Sequence, residues 1–282
     1  MSTAPKHAVL ILAHDNPAQL ELLLESVAHP RLDPFLHLDA ESNDTFEKAR
    51  RLATETIQRY DIRWGGYRMV QATLDLLALA RARAPYDTFT LLSGRDYPVP
   101  PTDELVAWLD NIEVSRIGHW HDEDPSWHRR WNRYFFHDWD WPWGRIANAA
   151  SRRLAAACPD RAWPVTPYFG SQWWTLTRWD VDRAFDFIEK RPDVVQFMRY
   201  VHIPDECFFQ TLLCNHPDVE QLSRKKRRYI DWSEGNAHPK ILEKEDIPDV
   251  LASGAAFARK LDIHEAPGAV QCLENHRSLR TC

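Results

Sequence analysis

Residues 7–38 read HAVLILAHDNPAQLELLLESVAHPRLDPFLHL, and this stretch decides the fold. Its opening run, residues 7–13 (HAVLILA), is apolar without a helical stripe and reads as a buried strand. Asn16 followed by Pro17 marks a helix start, because Asn offers an N-cap oxygen and proline suits the first helical position. A helix is expected over residues 17–28 and a second strand over residues 34–38 (PFLHL). Strands separated by helices of this length predict a parallel sheet inside an α/β layer.

The alternation continues along the chain. A helix is predicted over residues 44–57, capped by Asn43 or Asp44, and a short strand over residues 61–64. Gly65-Gly66 breaks the pattern before a long amphipathic helix at residues 67–83 and a strand at 87–92 (DTFTLL). Ligands of such sheets sit beyond the carboxyl ends of the strands. Those ends carry Ala13-His14-Asp15, His37-Leu38-Asp39 and Ser93-Gly94-Arg95-Asp96.

The second half is less regular. Residues 119–144 mix Trp, Arg and His without a period and read as a long loop or lid, and loops of that length are usually functional. Helices are predicted at 145–157 and 179–190, a strand at 171–177, and a helix at 204–213 opened by Pro204 and two acids. A short strand at 228–231 and weaker helices at 243–252 and 269–279 complete the reading. No linker divides the chain, so residues 1–282 are read as one domain.

Composition sets the outer bounds. The 282 residues are 44% hydrophobic and 27% charged, ordinary for a soluble globular protein and against disorder. The net charge of -6 argues against nucleic acid as a partner, despite the local cluster at residues 224–228. No apolar run reaches the roughly 18 residues a spanning helix needs. Five scattered cysteines without a CxxC pair suit a reduced, cytoplasmic setting, with a peripheral contact at the inner membrane left open. Ten of the 13 tryptophans fall between Trp120 and Trp179. Most are expected in the core, but two or three exposed ones suffice to stack on sugar faces.

Single motifs are weak. Asp138-Trp139-Asp140 has the DxD form of a divalent-ion site, but such triplets recur by chance and this one is expected to be a decoy. His119, His121, His128 and His137 lack an HExxH pattern or a cysteine partner, so no metal is predicted there. Neither a P-loop, a GxGxxG loop nor a GxSxG elbow is present. Glu206 alone reads as an ordinary acid near a helix N-terminus, and Lys240 and Lys260 as surface lysines.

The ordered set of segments says more. Residues 8–14 (AVLILAH), 37–39 (HLD), 64–74 (WGGYRMVQATL), 89–99 (FTLLSGRDYPV), 170–177 (GSQWWTLT), 204–213 (PDECFFQTLL), 228–232 (RYIDW) with 238–240 (HPK), 257–262 (FARKLD) and 270–277 (VQCLENHR) run through nearly the whole chain. Together they resemble the core-2/I-branching β-1,6-N-acetylglucosaminyltransferases and peptide O-xylosyltransferases, glycosyltransferase family fourteen. The resemblance implies a GT-A fold: a Rossmann-like central sheet with helices on both faces, with about 1–118 as a nucleotide-sugar half and about 119–282 as an acceptor and catalytic half. It also implies an inverting transfer of a sugar, N-acetylglucosamine or xylose, from a UDP-sugar to a glycan, lipid-linked or peptide acceptor, without a metal or other cofactor. Glu206 then matches the catalytic base, and Lys240 and Lys260 the cations on the donor diphosphate. His14, Asp39 and Trp64 match nucleotide contacts, and Glu104 and Trp232 acceptor contacts. Animal members carry an anchor, a stem and several disulfides; the likeness is instead to a bacterial form, for which polysaccharide biosynthesis is the expected setting. A non-catalytic carbohydrate-binding protein on the same fold is the alternative. A glycoside hydrolase is disfavoured, because no convincing second acid accompanies Glu206.

Overall fold

A computed structural model describes residues 4, 6–42, 45–121, 125–155, 157, 160–218 and 221–279. In chain order these form β1 (His7–Ala13), α1 (Pro17–Ser26), β2 (Leu32–Leu38), α2 (Glu47–Leu52), β3 (Glu55–Gln58), α3 (Arg68–Arg83), β4 (Thr88–Ser93), β5 (Tyr97–Pro98) and α4 (Thr102–Asp110). There follow α5 (Pro125–His128), α6 (Trp143–Ala155), β6 (Thr175–Thr177), α7 (Arg178–Lys190), α8 (Pro192–Met198), α9 (Phe208–Cys214), β7 (Arg228–Ile230), α10 (Ile247–Ala252), β8 (Phe257–Arg259) and α11 (Pro267–Leu279).

The main sheet has the order β3-β2-β1-β4-β6. Its first four strands are parallel, and β6 runs antiparallel to β4 at the edge. Alternation along β1 splits the core between two faces. Ala8, Leu10 and Leu12 pack toward α3, α7 and α9, while Val9, Ile11 and Ala13 pack toward α1, α2 and α4. Helices on both faces of a mainly parallel sheet make this an α/β fold of Rossmann-like order, as the opening stretch predicts. A second sheet, β5-β8-β7, has its own core under α10 and α11. The two sheets trade strands across residue 118: β6 joins the first from the later half, and β5 joins the second from the earlier half.

Several sequence expectations hold locally. β1 has the expected bounds, and the Asn16 side chain accepts a hydrogen bond from the Gln19 amide at 3.1 Å, as an N-cap should. Others need correction. The helix expected over 44–57 is only the six residues of α2, after which Thr56 and Ile57 enter β3 beside β2. β-Branched residues next to an open sheet edge favour that pairing over a continued helix. Its expected caps, Asn43 and Asp44, lie outside the described residues. The strand expected at 61–64 is a loop. The one expected at 171–177 keeps only its last three residues and runs antiparallel. The helix expected at 204–213 is broken at Cys207 into a 3-10 turn, Pro204–Glu206, and α9.

The turn after β4 joins the two sheets. Asp96 is fully buried, accepts the Ser93 amide at 2.5 Å and lies 2.8 Å from the Arg228 guanidinium of β7. Arg259 of β8 lies 3.9 Å from the same carboxylate. Both guanidiniums also face the Trp173 ring, at 5.7 and 4.2 Å. One buried carboxylate thus serves two buried cations. Removing one partner of a buried ion pair typically costs about 3–5 kcal/mol. Asp96→Asn should therefore lower the unfolding free energy in urea by about that amount. A loss below about 1 kcal/mol would be the surface-pair value and would contradict this role.

Candidate functional site

The sheet order reverses between β1 and β4, and a crevice at such a switch point is where α/β sheets bind ligands. Arg95 organises it. Its guanidinium pairs with Asp15 after β1, at 2.6 Å, and with Asp262 after β8, while its carbonyl accepts the Leu261 amide at 3.0 Å. Asn16 donates to Asp262 at 3.0 Å, closing the ring of contacts. Lys260 stands beside this ring. Burial holds its ammonium below the usual lysine range, and the Arg95 and Arg259 charges act in the same direction. Among the described residues no carboxylate lies within ion-pair distance of Lys260. The result is a half-buried cation beside the switch point, where the Asp15 and Glu265 charges oppose the lowering.

Lys240 is the neighbour of Lys260 on the backbone, which bonds through the Lys260 amide to the Lys240 carbonyl at 3.4 Å. Its ammonium is already engaged, 2.9 Å from both oxygens of Asp246. That contact raises the lysine's affinity for its proton. Trp232 is 54% exposed in the loop that joins β7 to Lys240, where the Lys240 amide donates to Asp231 at 2.9 Å.

At the other strand ends, His14 is largely exposed and lies 3.5 Å from Asp15. Asp39 is buried, and its two oxygens accept the Glu41 and Ile62 amides at 2.8 and 2.7 Å. Asp39 thereby fixes the loop that ends in Trp64, which is 66% exposed and meets His202 edge-on at 5.1 Å. Gly65 follows with φ +78, and a side chain there would strike His202. Its carbonyl accepts the Ile203 amide at 3.0 Å, tying the Trp64 turn to the turn that carries Glu206. Ile203 has φ +56, unusual for a β-branched residue, so this turn is held by its surroundings.

Glu206 is not in the first turn of an α-helix, as its sequence context suggested. It ends the 3-10 turn, and α9 starts two residues later. Its charge partner is a side chain: Arg130 Nη1 donates to Oε2 at 2.7 Å. Oε1 has no hydrogen-bond partner among the described residues. The Glu206 carbonyl accepts the Gly170 amide at 2.7 Å, and a side chain at Gly170 would collide with the Gly118 carbonyl. Lys226 lies over Gly118; burial lowers its affinity for a proton, and the Glu206 charge opposes that shift. Burial pushes the adjoining Asp205 carboxyl up to about 7, with the Glu206 charge acting the same way.

Sequence reasoning missed Arg130 and Lys226. Arg130 lies in the aperiodic aromatic stretch, 76 residues from its partner. The aromatic residues explain its place: its guanidinium sits 3.9 Å from the Trp127 ring, which packs on Phe169 at 4.7 Å. Trp131 stacks on the same Phe169 at 5.3 Å. The DxD pair has other partners. Asp138 Oδ2 accepts the Tyr67 and Arg68 amides at the start of α3, at 2.8 and 3.2 Å, and Asp140 pairs with Arg63 at 3.2 Å. Glu104 lies apart from Lys260. It lines a cleft of about 310 Å³ with Trp108, Arg227 and Ala256, toward the amino end of β8, whereas Lys260 follows its carboxyl end.

Comparison with known proteins identifies the family. Residues 8–251 match the family described as "Branch: Core-2/I-Branching enzyme". Xylosyltransferase 2 of Rattus norvegicus is 28% identical over 244 residues, covering 80% of this chain and 26% of that protein. Xylosyltransferase 1 of the same animal is 25% identical over 247 residues, covering 80% and 28%. The chain thus spans about a quarter of the length of these relatives. A beta-glucuronosyltransferase of Arabidopsis thaliana is 25% identical over 291 residues, covering 92% of this chain and 71% of that protein. Among solved structures, the inositol-1-phosphate CTP transferase from T. maritima has a TM-score of 0.37 at 9% identity, covering 76% of this chain and 83% of that one. The match over residues 8–251 places the chain in the Core-2/I-branching enzyme family of glycosyltransferases.

Proposed function

We propose that the chain is an inverting transferase of GT-A type that moves a sugar from a UDP-sugar to an acceptor hydroxyl without a metal ion. The observation that carries the reading is Lys260: a half-buried ammonium with no carboxylate partner among the described residues, at the switch point of the main sheet. A half-buried cation with no carboxylate in contact is under-compensated, and a bound diphosphate would supply the missing charge. Lys240, on the adjoining segment, supplies a second cation by sharing its donors between Asp246 and the ligand.

His14, Asp39 and the Trp64 loop form the nucleotide end of the crevice in this reading. In the transfer step the acceptor oxygen attacks the anomeric carbon as UDP departs from the opposite face. The C–O bond to the acceptor forms, the C–O bond to the diphosphate breaks, and the acceptor proton passes to Glu206. Arg130 fixes one oxygen of that carboxylate and leaves Oε1 open to the incoming hydroxyl. Negative charge grows on the diphosphate as the bond breaks, and fixed cations in a partly dry crevice stabilise it. Trp232 offers an exposed ring for the face of an acceptor sugar; Glu104, in the separate cleft toward the amino end of β8, is left out of this crevice. The named relatives favour xylose or glucuronic acid as the sugar, and N-acetylglucosamine is the third candidate.

Two variants test these roles. Glu206→Gln should keep UDP affinity and lose roughly 10²–10⁴-fold in transfer rate; full transfer activity would remove the base assignment. Lys260→Ala should weaken UDP by about 1.5–3 kcal/mol, roughly one to two orders of magnitude in Kd, and leave uridine nearly unchanged. Equal loss for both ligands would end the diphosphate role.

A further inference from the structure

Helix α6 is exposed in a way that neither the sheets nor the Glu206 site explains. Of its thirteen residues only Gly144 is buried. Asn148 accepts the Phe136 amide at 3.0 Å and Ser151 donates to the Tyr134 carbonyl at 2.7 Å, so one face is tied down by polar contacts. The rest of its surface carries an uncovered apolar stripe together with exposed arginines. Among the described residues nine large hydrophobic side chains are exposed, and six lie within residues 134–154: Tyr134, Trp139, Trp141, Trp143, Ile146 and Leu154. Trp143, Ile146, Ala150 and Leu154 recur at helical spacing. Between α6 and the 132–136 segment lies an apolar groove of about 390 Å³, with Phe136, Ala147 and Leu154 in its lining. A monomer in water does not keep such a patch without a use.

The charge of the patch identifies what covers it. α6 carries Arg145, Arg152 and Arg153 and no acid, in a chain whose net charge is -6. Asp140, just before the helix, is paired with Arg63. A second copy is a poor partner, because a two-fold contact would set the same three arginines against each other. Tryptophans beside a short arginine-bearing amphipathic helix are instead the composition of a surface that lies in the headgroup region of a bilayer. We propose that α6 and the Trp139–Trp141–Trp143 segment form a docking face for an anionic membrane surface. The rings and aliphatic side chains enter the interface, and the arginines meet lipid phosphates.

The test is sedimentation of the full chain with vesicles of phosphatidylcholine, with and without phosphatidylglycerol, at low and high salt. The face predicts binding to the mixed vesicles, little to the neutral ones, and loss as salt rises. Each arginine near the surface contributes about fivefold in affinity. R145A/R152A/R153A should therefore bind roughly a hundredfold more weakly, and W141S/W143S should also weaken binding, with thermal melting unchanged because these side chains are exposed. Tryptophan emission quenched by brominated acyl chains in the parent would confirm insertion. Absence of binding to anionic vesicles at low salt overturns the proposal. So does binding that both variants retain in full, or a concentration-dependent dimer that L154E disrupts while vesicle binding is absent.

Discussion

Two consecutive residues in the turn after β4 set the geometry on which the crevice depends. Asp96 points inward to the guanidiniums of Arg228 and Arg259, and Arg95 points outward to Asp15 and Asp262. The first contact locks the small sheet to the main one; the second pins the segments that follow β1 and β8. Lys260 is the next residue after Arg259, so its position is fixed by the same lock. A lysine on a free loop would move to solvent or to the nearest acid. On this frame it stays half-buried and unpaired among the described residues, with its proton affinity reduced by burial and by two neighbouring guanidiniums.

The Glu206 carboxylate has a different support. Glu206 depends on Arg130, which depends on Trp127 and Phe169, so the aromatic stretch that looked like a lid also acts as a scaffold. Trp174 is fully buried, and Trp120, Trp127, Trp131, Trp163 and Trp173 pack against the main core. Those tryptophans fill space, as composition suggested, and three of the six exposed ones lie just before or on α6.

Local signals were legible in the sequence and distant ones were not. β1 and α1 could be read from residues 7–26, because a buried strand and an Asn-Pro cap carry their own signatures. The failure at 44–57 came from a partner outside the window: β3 forms because β2 offers an edge to Thr56 and Ile57. The break at Cys207 follows from contacts of its turn with Gly65 and Gly170, which no periodicity encodes. Glu206 stood out only through resemblance, and Arg130 not at all, since an ion pair across 76 residues leaves no pattern along the chain. Asp138 is read on sequence as part of a metal-site motif too short to trust; in the fold its Oδ2 accepts the Tyr67 and Arg68 amides at the start of α3.

The central claim is that fixed cations at the switch point hold a nucleoside diphosphate unaided. Calorimetric titration of the full chain with UDP and with uridine, in EDTA and again with manganese, tests it most directly. The account predicts that UDP binds in EDTA, more tightly than uridine, with an affinity that manganese does not change. UDP binding that appears only with manganese would contradict it and return the diphosphate to a metal ion.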